Sequence, residues 1–151
     1  MQKSNRSDEE RLLEAVNTLL NLFLVDETQF SPAEGRMKYN PVDFQCLRYV
    51  DQNPGTKAVD IAQSLGVAST TLQSALDRLV KQALMVRARH KEDGRARAYH
   101  LTATGQSLRD AIHRQDIVNM GAMLAAVEAD KRDVVLEQLD RVATALKAKV
   151  D

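Results

Sequence analysis

The fold is decided by residues 66–105, which read GVASTTLQSALDRLVKQALMVRARHKEDGRARAYHLTATG. In the first part of this stretch, apolar residues recur every three or four positions, as they do on the buried face of a helix, over about 69–82. In the second part, apolar and polar residues alternate on both sides of Asp93-Gly94, a dipeptide typical of hairpin turns. A helix followed by a basic β-hairpin is therefore predicted, with the hairpin over about 84–101.

The residues before this stretch predict a second, shorter helix. Residues 59–65 have apolar residues at helical spacing and end at Gly66, the residue type favoured at a left-handed helix exit. Two helices joined by a tight glycine turn form a helix-turn-helix. The polar side chains of the second helix lie opposite its apolar stripe and are Ser69, Thr70, Gln73, Ser74 and Asp77.

Helical spacing also predicts helices in the outer parts of the chain, over residues 8 to about 29, over 41–51, from 102 onward, and over 129–149. The first helix and the last two carry more apolar surface than one small lobe can cover. Dimerisation is therefore predicted.

The net charge of zero is a cancellation between segments. The 151 residues contain 21 Lys and Arg against 21 Asp and Glu, but residues 57–114 carry +5, while 1–56 carry −3 and 115–151 carry −2. Most of the excess lies between Arg78 and Arg97, where seven basic residues meet two acids. Such a run is most often a solvated surface, and it is also what a confined nucleic-acid-binding face requires.

Composition and motifs exclude several classes of protein. A single cysteine excludes an internal disulfide framework and a zinc site built on cysteine pairs. No run of about 18 apolar residues and no signal peptide is found, so we expect a soluble, cytoplasmic protein with no membrane contact. The three histidines, His90, His100 and His113, lack metal-ligand spacing, so no metal is expected. No nucleophile motif or phosphate-binding loop occurs, so we expect no cofactor and no enzyme activity.

The Asp93-x-Arg95 of the hairpin and the following Leu101-Thr102-x-x-Gly105 resemble the multiple-antibiotic-resistance-regulator (MarR) family of winged helix-turn-helix transcription regulators. The resemblance covers essentially the whole chain. This sequence departs from the family pattern at two positions. Ala68 stands where a capping Ser is usual, so the helix is expected to start at Ser69 or Thr70. Gly94 stands where a second wing Arg is common.

The resemblance implies a mainly α fold with a small β-hairpin. Residues 1–35 would form an N-terminal dimerisation helix, 36–101 a winged helix-turn-helix DNA-binding lobe, and 102–151 C-terminal dimerisation helices. It implies a homodimeric regulator, expected to be a repressor, that binds double-stranded DNA at a pseudo-palindrome.

Site residues are carried over onto the matching positions of this sequence. The polar face of the recognition helix would enter the major groove, and Arg95 the flanking minor groove, with Asp93 orienting Arg95. The remaining cations would contact phosphates. The predicted DNA-binding set is Ser69, Thr70, Thr71, Gln73, Ser74, Arg78, Arg87, Arg89, Lys91, Asp93, Arg95 and Arg97.

The resemblance also implies a small-molecule effector site, although its apolar candidates are more typical of a core or an interface. The candidates are Phe23, Phe30, Met37, Phe44, Arg48, Tyr49 and Met120. Cys46 is open to interpretation as a redox sensor or, more simply, as a small buried hydrophobe. The alternative function is a winged-helix module for protein assembly that does not bind DNA, favoured by the acidic outer segments and by Gly94.

Overall fold

A computed structural model describes residues 6–22 and 40–147. The chain forms two compact units, Met1–Gln106 and Ser107–Asp151. The elements of the first unit are α1 (Asp8–Leu22), α2 (Pro41–Gln52), β1 (Thr56–Lys57), α3 (Ala58–Leu65), α4 (Ser69–Lys81), β2 (Met85–Arg89) and β3 (Arg97–Leu101). Helix α5 (Ala103–Ala125) begins in the first unit and continues into the second, where a short 3-10 turn (Ala129–Lys131) leads into α6 (Arg132–Lys147).

Helix α1 begins with a capping box. The Ser7 hydroxyl accepts from the Glu10 amide at 3.2 Å, and the Glu10 carboxylate accepts from the Ser7 amide at 2.9 Å. Each contact satisfies an amide that the first helical turn leaves without a partner. The predicted start of this helix is confirmed, whereas its predicted end near residue 30 lies outside the described residues.

The helix-turn-helix is confirmed as α3 and α4. Gly66 ends α3 with φ of 64°, the left-handed conformation that glycine adopts without steric cost. Helix α4 begins at Ser69, one of the two predicted starts, and Ala68 at its N-cap supplies no side-chain cap.

The predicted hairpin is confirmed, and it belongs to a three-stranded antiparallel sheet of order β1-β3-β2. In β2 and β3, Met85 lies opposite Leu101 and Arg89 opposite Arg97. Strand β1 was not predicted, because a two-residue strand has no alternation to detect. It adds Thr56 opposite Tyr99 and thereby ties the end of α2 to the wing.

The connection at the tip of the hairpin is longer than Asp93-Gly94 suggests. The strands stop at Arg89 and resume at Arg97, and residues 90–96 form the loop between them. Gly94 does not have the positive φ that a two-residue Asp-Gly turn requires; among the described glycines, only Gly55 and Gly66 do.

The core of the first unit lies between α2, α3, α4 and the sheet. Its side chains come from the apolar stripe of each helix and from the inner side of the strands. Those exposed by 2% or less include Cys46, Leu47, Val50, Ile61, Leu72, Ala75, Leu76, Leu79, Leu84, Met85 and Tyr99.

The Leu101-Thr102-x-x-Gly105 motif joins the end of α4 to the start of α5. The Thr102 hydroxyl donates to the Ala83 carbonyl at 2.6 Å and accepts from the Gly105 amide at 3.0 Å, and the Thr102 amide donates to the Leu84 carbonyl at 3.0 Å. Thr102 is thus the N-cap of α5 and also holds the turn in which Ala83 adopts a left-handed φ of 57°. A Cβ on Gly105 would lie 1.9 Å from the Leu84 carbonyl oxygen, so only glycine allows this approach.

The second unit exposes apolar side chains along both of its helices. Ile117 and Val118 of α5 and Leu139, Val142 and Leu146 of α6 are each more than half exposed. Helix α1 has the same character, with Leu12, Leu13 and Leu20 about 60–65% exposed. Within residues 6–22 and 40–147, no helix is long and apolar enough to cross a membrane.

Replacing Gly105 with Ala is expected to lower the free energy of unfolding by about 3 kcal/mol, because the new methyl overlaps a backbone oxygen that cannot move alone. Gly121→Ala in the same helix is the matched control. A Cβ there meets nothing within 4 Å, so the exchange should raise stability by about 1 kcal/mol. Urea denaturation measures both values, and equal effects of the two substitutions would contradict the close approach.

Candidate nucleic-acid interface

Helix α4 has one buried and one solvent-exposed face. Leu72, Ala75, Leu76 and Leu79 are buried against the core. The opposite face is polar and exposed, and it presents Ser69, Thr70, Thr71, Gln73, Ser74 and Asp77. Five of the predicted DNA-binding residues therefore share one accessible surface.

A buried ion pair fixes α4 against α2. The Arg78 guanidinium donates from Nη2 to Asp43 Oδ1 at 2.7 Å and from Nε to Asp43 Oδ2 at 3.2 Å. The side chain of Asp43 is only 1% exposed and that of Arg78 21%. The bond to Asp43 raises the pKa of Arg78 further above its ordinary value, so Arg78 keeps its charge at every accessible pH.

Asp43 is held from its other side by the start of α2. Its carboxylate accepts from the Asn40 amide at 3.1 Å, and its own amide donates to the Asn40 side chain at 3.1 Å, which completes a capping box. A carboxylate with this many donors has its charge fully compensated despite burial. The local signal was present as Asn40-Pro41-Val42-Asp43 before an apolar stripe, but its distant partner was not predictable from local spacing.

Arg78 is therefore a structural residue. The phosphate contact that the family resemblance implies for it stays a prediction, and two of its guanidinium nitrogens are already bonded to Asp43.

Asp77 links the exposed face of α4 to the wing. Its Oδ1 atom accepts from Gln73 Nε2 at 3.0 Å and from Arg87 Nη1 at 3.2 Å. Both side chains of the ion pair are about half exposed, at 44% for Arg87 and 54% for Asp77. The contact joins strand β2 to α4 without removing either group from solvent.

The wing, which comprises β2, β3 and the loop 90–96, carries the remaining predicted cations. All five are exposed, as is Asp93; the set is Arg87, Arg89, Lys91, Arg95 and Arg97. Asp93 contacts Arg95 through the backbone: its Oδ1 accepts from the Arg95 amide at 3.2 Å. The basic side chains of the wing and the polar face of α4 belong to the same unit.

Four of the predicted effector residues lie within the described part of the chain. Phe44 and Tyr49 are half-buried on α2, Arg48 is exposed, and Met120 belongs to the second unit. Phe23, Phe30 and Met37 lie outside the described residues.

Cys46 is fully buried in α2, and its burial raises the pKa of the thiol to about 12, with the neighbouring charge of Asp43 adding to the shift. Only the thiolate reacts readily, so the thiol is inert at neutral pH. The structure favours the interpretation of Cys46 as a buried hydrophobe.

The winged arrangement has known relatives. Residues 38–96 match a model of the MarR family. This chain carries a MarR-family domain. No curated protein sequence matches the chain significantly.

Solved structures share the fold at low identity. FabT from Streptococcus pneumoniae in complex with DNA has a TM-score of 0.79 and 16% identity, over 93% of this chain and 99% of that one. A point mutant of MepR from S. aureus gives 0.77 and 16%, with the same coverage. PcaV from Streptomyces coelicolor in complex with its natural ligand gives 0.60 and 22%, over 91% and 90%. At these identities the likeness shows a common fold.

Arg78→Met in this MarR-family domain is expected to lower the free energy of unfolding by about 3–5 kcal/mol, because it leaves the buried Asp43 carboxylate uncompensated. Adding Asp43→Asn should restore part of that loss. Arg87→Met, which breaks the exposed pair with Asp77, is the control and should cost less than about 1 kcal/mol. Chemical denaturation that gave equal losses for Arg78→Met and Arg87→Met would refute an anchoring role for the buried pair.

Proposed function

We propose that this protein is a sequence-specific DNA-binding transcription regulator that acts as a homodimer. The observation that carries the proposal is the juxtaposition, in one unit, of an exposed polar recognition helix and an exposed basic wing. The MarR-family match over residues 38–96 and the fold shared with FabT support it.

Helix α4 reads base edges in the major groove. Gln73 is suited to a bidentate bond with adenine, because its amide offers one donor and one acceptor side by side. One N–H of Gln73 is held by Asp77, which leaves the amide oxygen and the second N–H available. The hydroxyls of Ser69, Thr70 and Thr71 bond to bases or to phosphates beside it.

The wing supplies most of the affinity. Arg95 enters the minor groove next to the site read by α4, where narrow A·T-rich segments concentrate negative potential. Arg87, Lys91 and Arg97 bond to phosphates, which gives affinity without sequence choice. Since the chain as a whole is neutral, this attraction is confined to one surface, and binding to arbitrary DNA should be modest.

The apolar stripes of α1, α5 and α6 form the dimer interface, which corresponds to the predicted dimerisation segments 1–35 and 102–151. A chain of this size rarely leaves so many large aliphatic side chains in water, and a second copy of the same surface covers them symmetrically. A two-fold dimer presents two α4 helices to two half-sites of a pseudo-palindrome.

We further propose that the regulator is a repressor whose dimer responds to a small molecule. A ligand releases DNA only when it favours a dimer in which the two α4 helices are wrongly spaced. The support is the fold shared with PcaV, whose structure holds its natural ligand, and the presence of Phe44, Arg48 and Tyr49 on α2, where Arg48 would suit an anionic ligand.

Arg95→Ala is expected to weaken DNA binding about 10- to 100-fold, because it removes the minor-groove contact. Urea denaturation should show an unchanged fold, since the side chain lies at the tip of the wing, outside the core. Lys147→Ala removes the same charge at the end of α6 and serves as the control, with little expected effect. Fluorescence anisotropy over a salt series measures both, and the wild-type affinity should fall steeply with salt. An isotherm that stays flat between low and moderate salt would favour the assembly module instead.

A further inference from the structure

The tip of the wing is closed by its own hydrogen bonds. The His90 amide donates to the Ala96 carbonyl at 3.1 Å, and the Asp93 amide donates to His90 Nδ1 at 3.1 Å. The Ala96 amide donates to the Asp93 carbonyl at 3.0 Å. The loop is therefore a defined turn even though its residues are almost all exposed.

The peptide unit between Gly94 and Arg95 is held at both ends. Its carbonyl oxygen accepts from Arg89 Nε at 2.9 Å, and its N–H donates to Asp93 Oδ1 at 3.2 Å. Because a peptide unit is planar, two bonds on opposite sides fix its orientation. The next peptide unit, after Arg95, is held through the Ala96 amide. The backbone of Arg95 is thus restrained on both sides.

Gly94 is required for this arrangement because of space. A Cβ at Gly94 would lie 2.9 Å from Arg89 Nη2 and 3.0 Å from Arg89 Nε, closer than such atoms pack. Its φ is not left-handed, so its backbone would accept alanine without strain. A side chain at position 94 would therefore displace the guanidinium and leave the turn itself intact.

We propose that Arg89 is a positioning residue of the wing, which acts through the Gly94 carbonyl to set the direction in which Arg95 leaves the loop. The inference rests on the proposed function and deepens it: the ligand of the positioned arginine is the minor groove of duplex DNA. A pre-set Arg95 loses less conformational freedom on insertion than an arginine on a loose loop, and affinity rises accordingly.

This role differs from the simple phosphate contact first expected for Arg89. A phosphate contact needs only a charge near the backbone of DNA, and Lys serves almost as well. The bond from Nε to a carbonyl across the loop needs the planar guanidinium, and it also explains why the loop tolerates a glycine where a second cation is common in the resembled family.

The test uses the full chain and Gly94→Ala, which alters no charge. We expect a loss of about tenfold in affinity for a bound DNA duplex, the scale of one charge-assisted hydrogen bond. The slope of log affinity against log salt should not change. In an Arg95→Ala background, Gly94→Ala should have no further effect, because there is no longer an arginine to position.

Arg89→Lys should reproduce the loss, and Arg114→Lys is its matched control, since Arg114 is an exposed arginine of α5 outside the predicted DNA-binding set. Hydrogen exchange of the Arg95 amide reports the restraint without DNA and should accelerate in Gly94→Ala.

The inference is overturned if exchange accelerates while affinity stays the same, or if the losses from Gly94→Ala and Arg95→Ala add. It is also overturned if Arg89→Lys binds as tightly as Arg114→Lys. Failure of the wild-type protein to bind DNA with salt sensitivity would instead reject the proposed function, whatever the exchange of the Arg95 amide shows.

Discussion

The geometry of the candidate interface depends on the ion pair between Asp43 and Arg78. An isolated buried carboxylate would be expensive, yet Asp43 is satisfied by the capping box of α2 and by two bonds from the later turns of α4. The pair therefore does more than add stability: it ties the helix that faces solvent to the helix that starts the lobe. Any tilt of α4 would break both bonds, so the polar face and the wing strand that follows are presented at a fixed angle.

Few of the basic side chains of the lobe are used in ion pairs within the fold. Asp43 neutralises Arg78 inside the domain, and Asp77 balances Arg87 at the surface, whereas no described residue is bonded to the side chains of Lys91, Arg95 or Arg97. The positive potential of the unit thus concentrates at the wing. The neutrality of the whole chain is compatible with this, because the acidic excess lies in the outer segments.

Local patterns predicted most of the fold. The spacing of Leu72, Ala75, Leu76 and Leu79 predicted the buried face of α4, Gly66 predicted the turn, and the departure at Ala68 predicted a start at Ser69 or Thr70. Contacts between residues far apart in the sequence could not be predicted from local patterns. The bond from Arg78 to Asp43 spans 35 positions, and the two-residue β1 is defined only by its partner β3. The role of Arg89 depends on the empty space at Gly94, which only the folded loop shows. Residue type therefore predicted the candidate interface, but three-dimensional contacts were needed to separate the cations bonded within the fold from those left exposed.

The central claim, that two copies of α4 read a symmetric DNA site, is tested most directly by selecting bound duplexes from a random pool with the full-length protein. The account predicts enrichment of an inverted repeat whose half-sites lie about one helical turn, roughly 10 bp, apart, flanked by A·T-rich sequence under the wings. A pool that shows no enriched sequence, or one enriched only in single, unpaired half-sites, would contradict it.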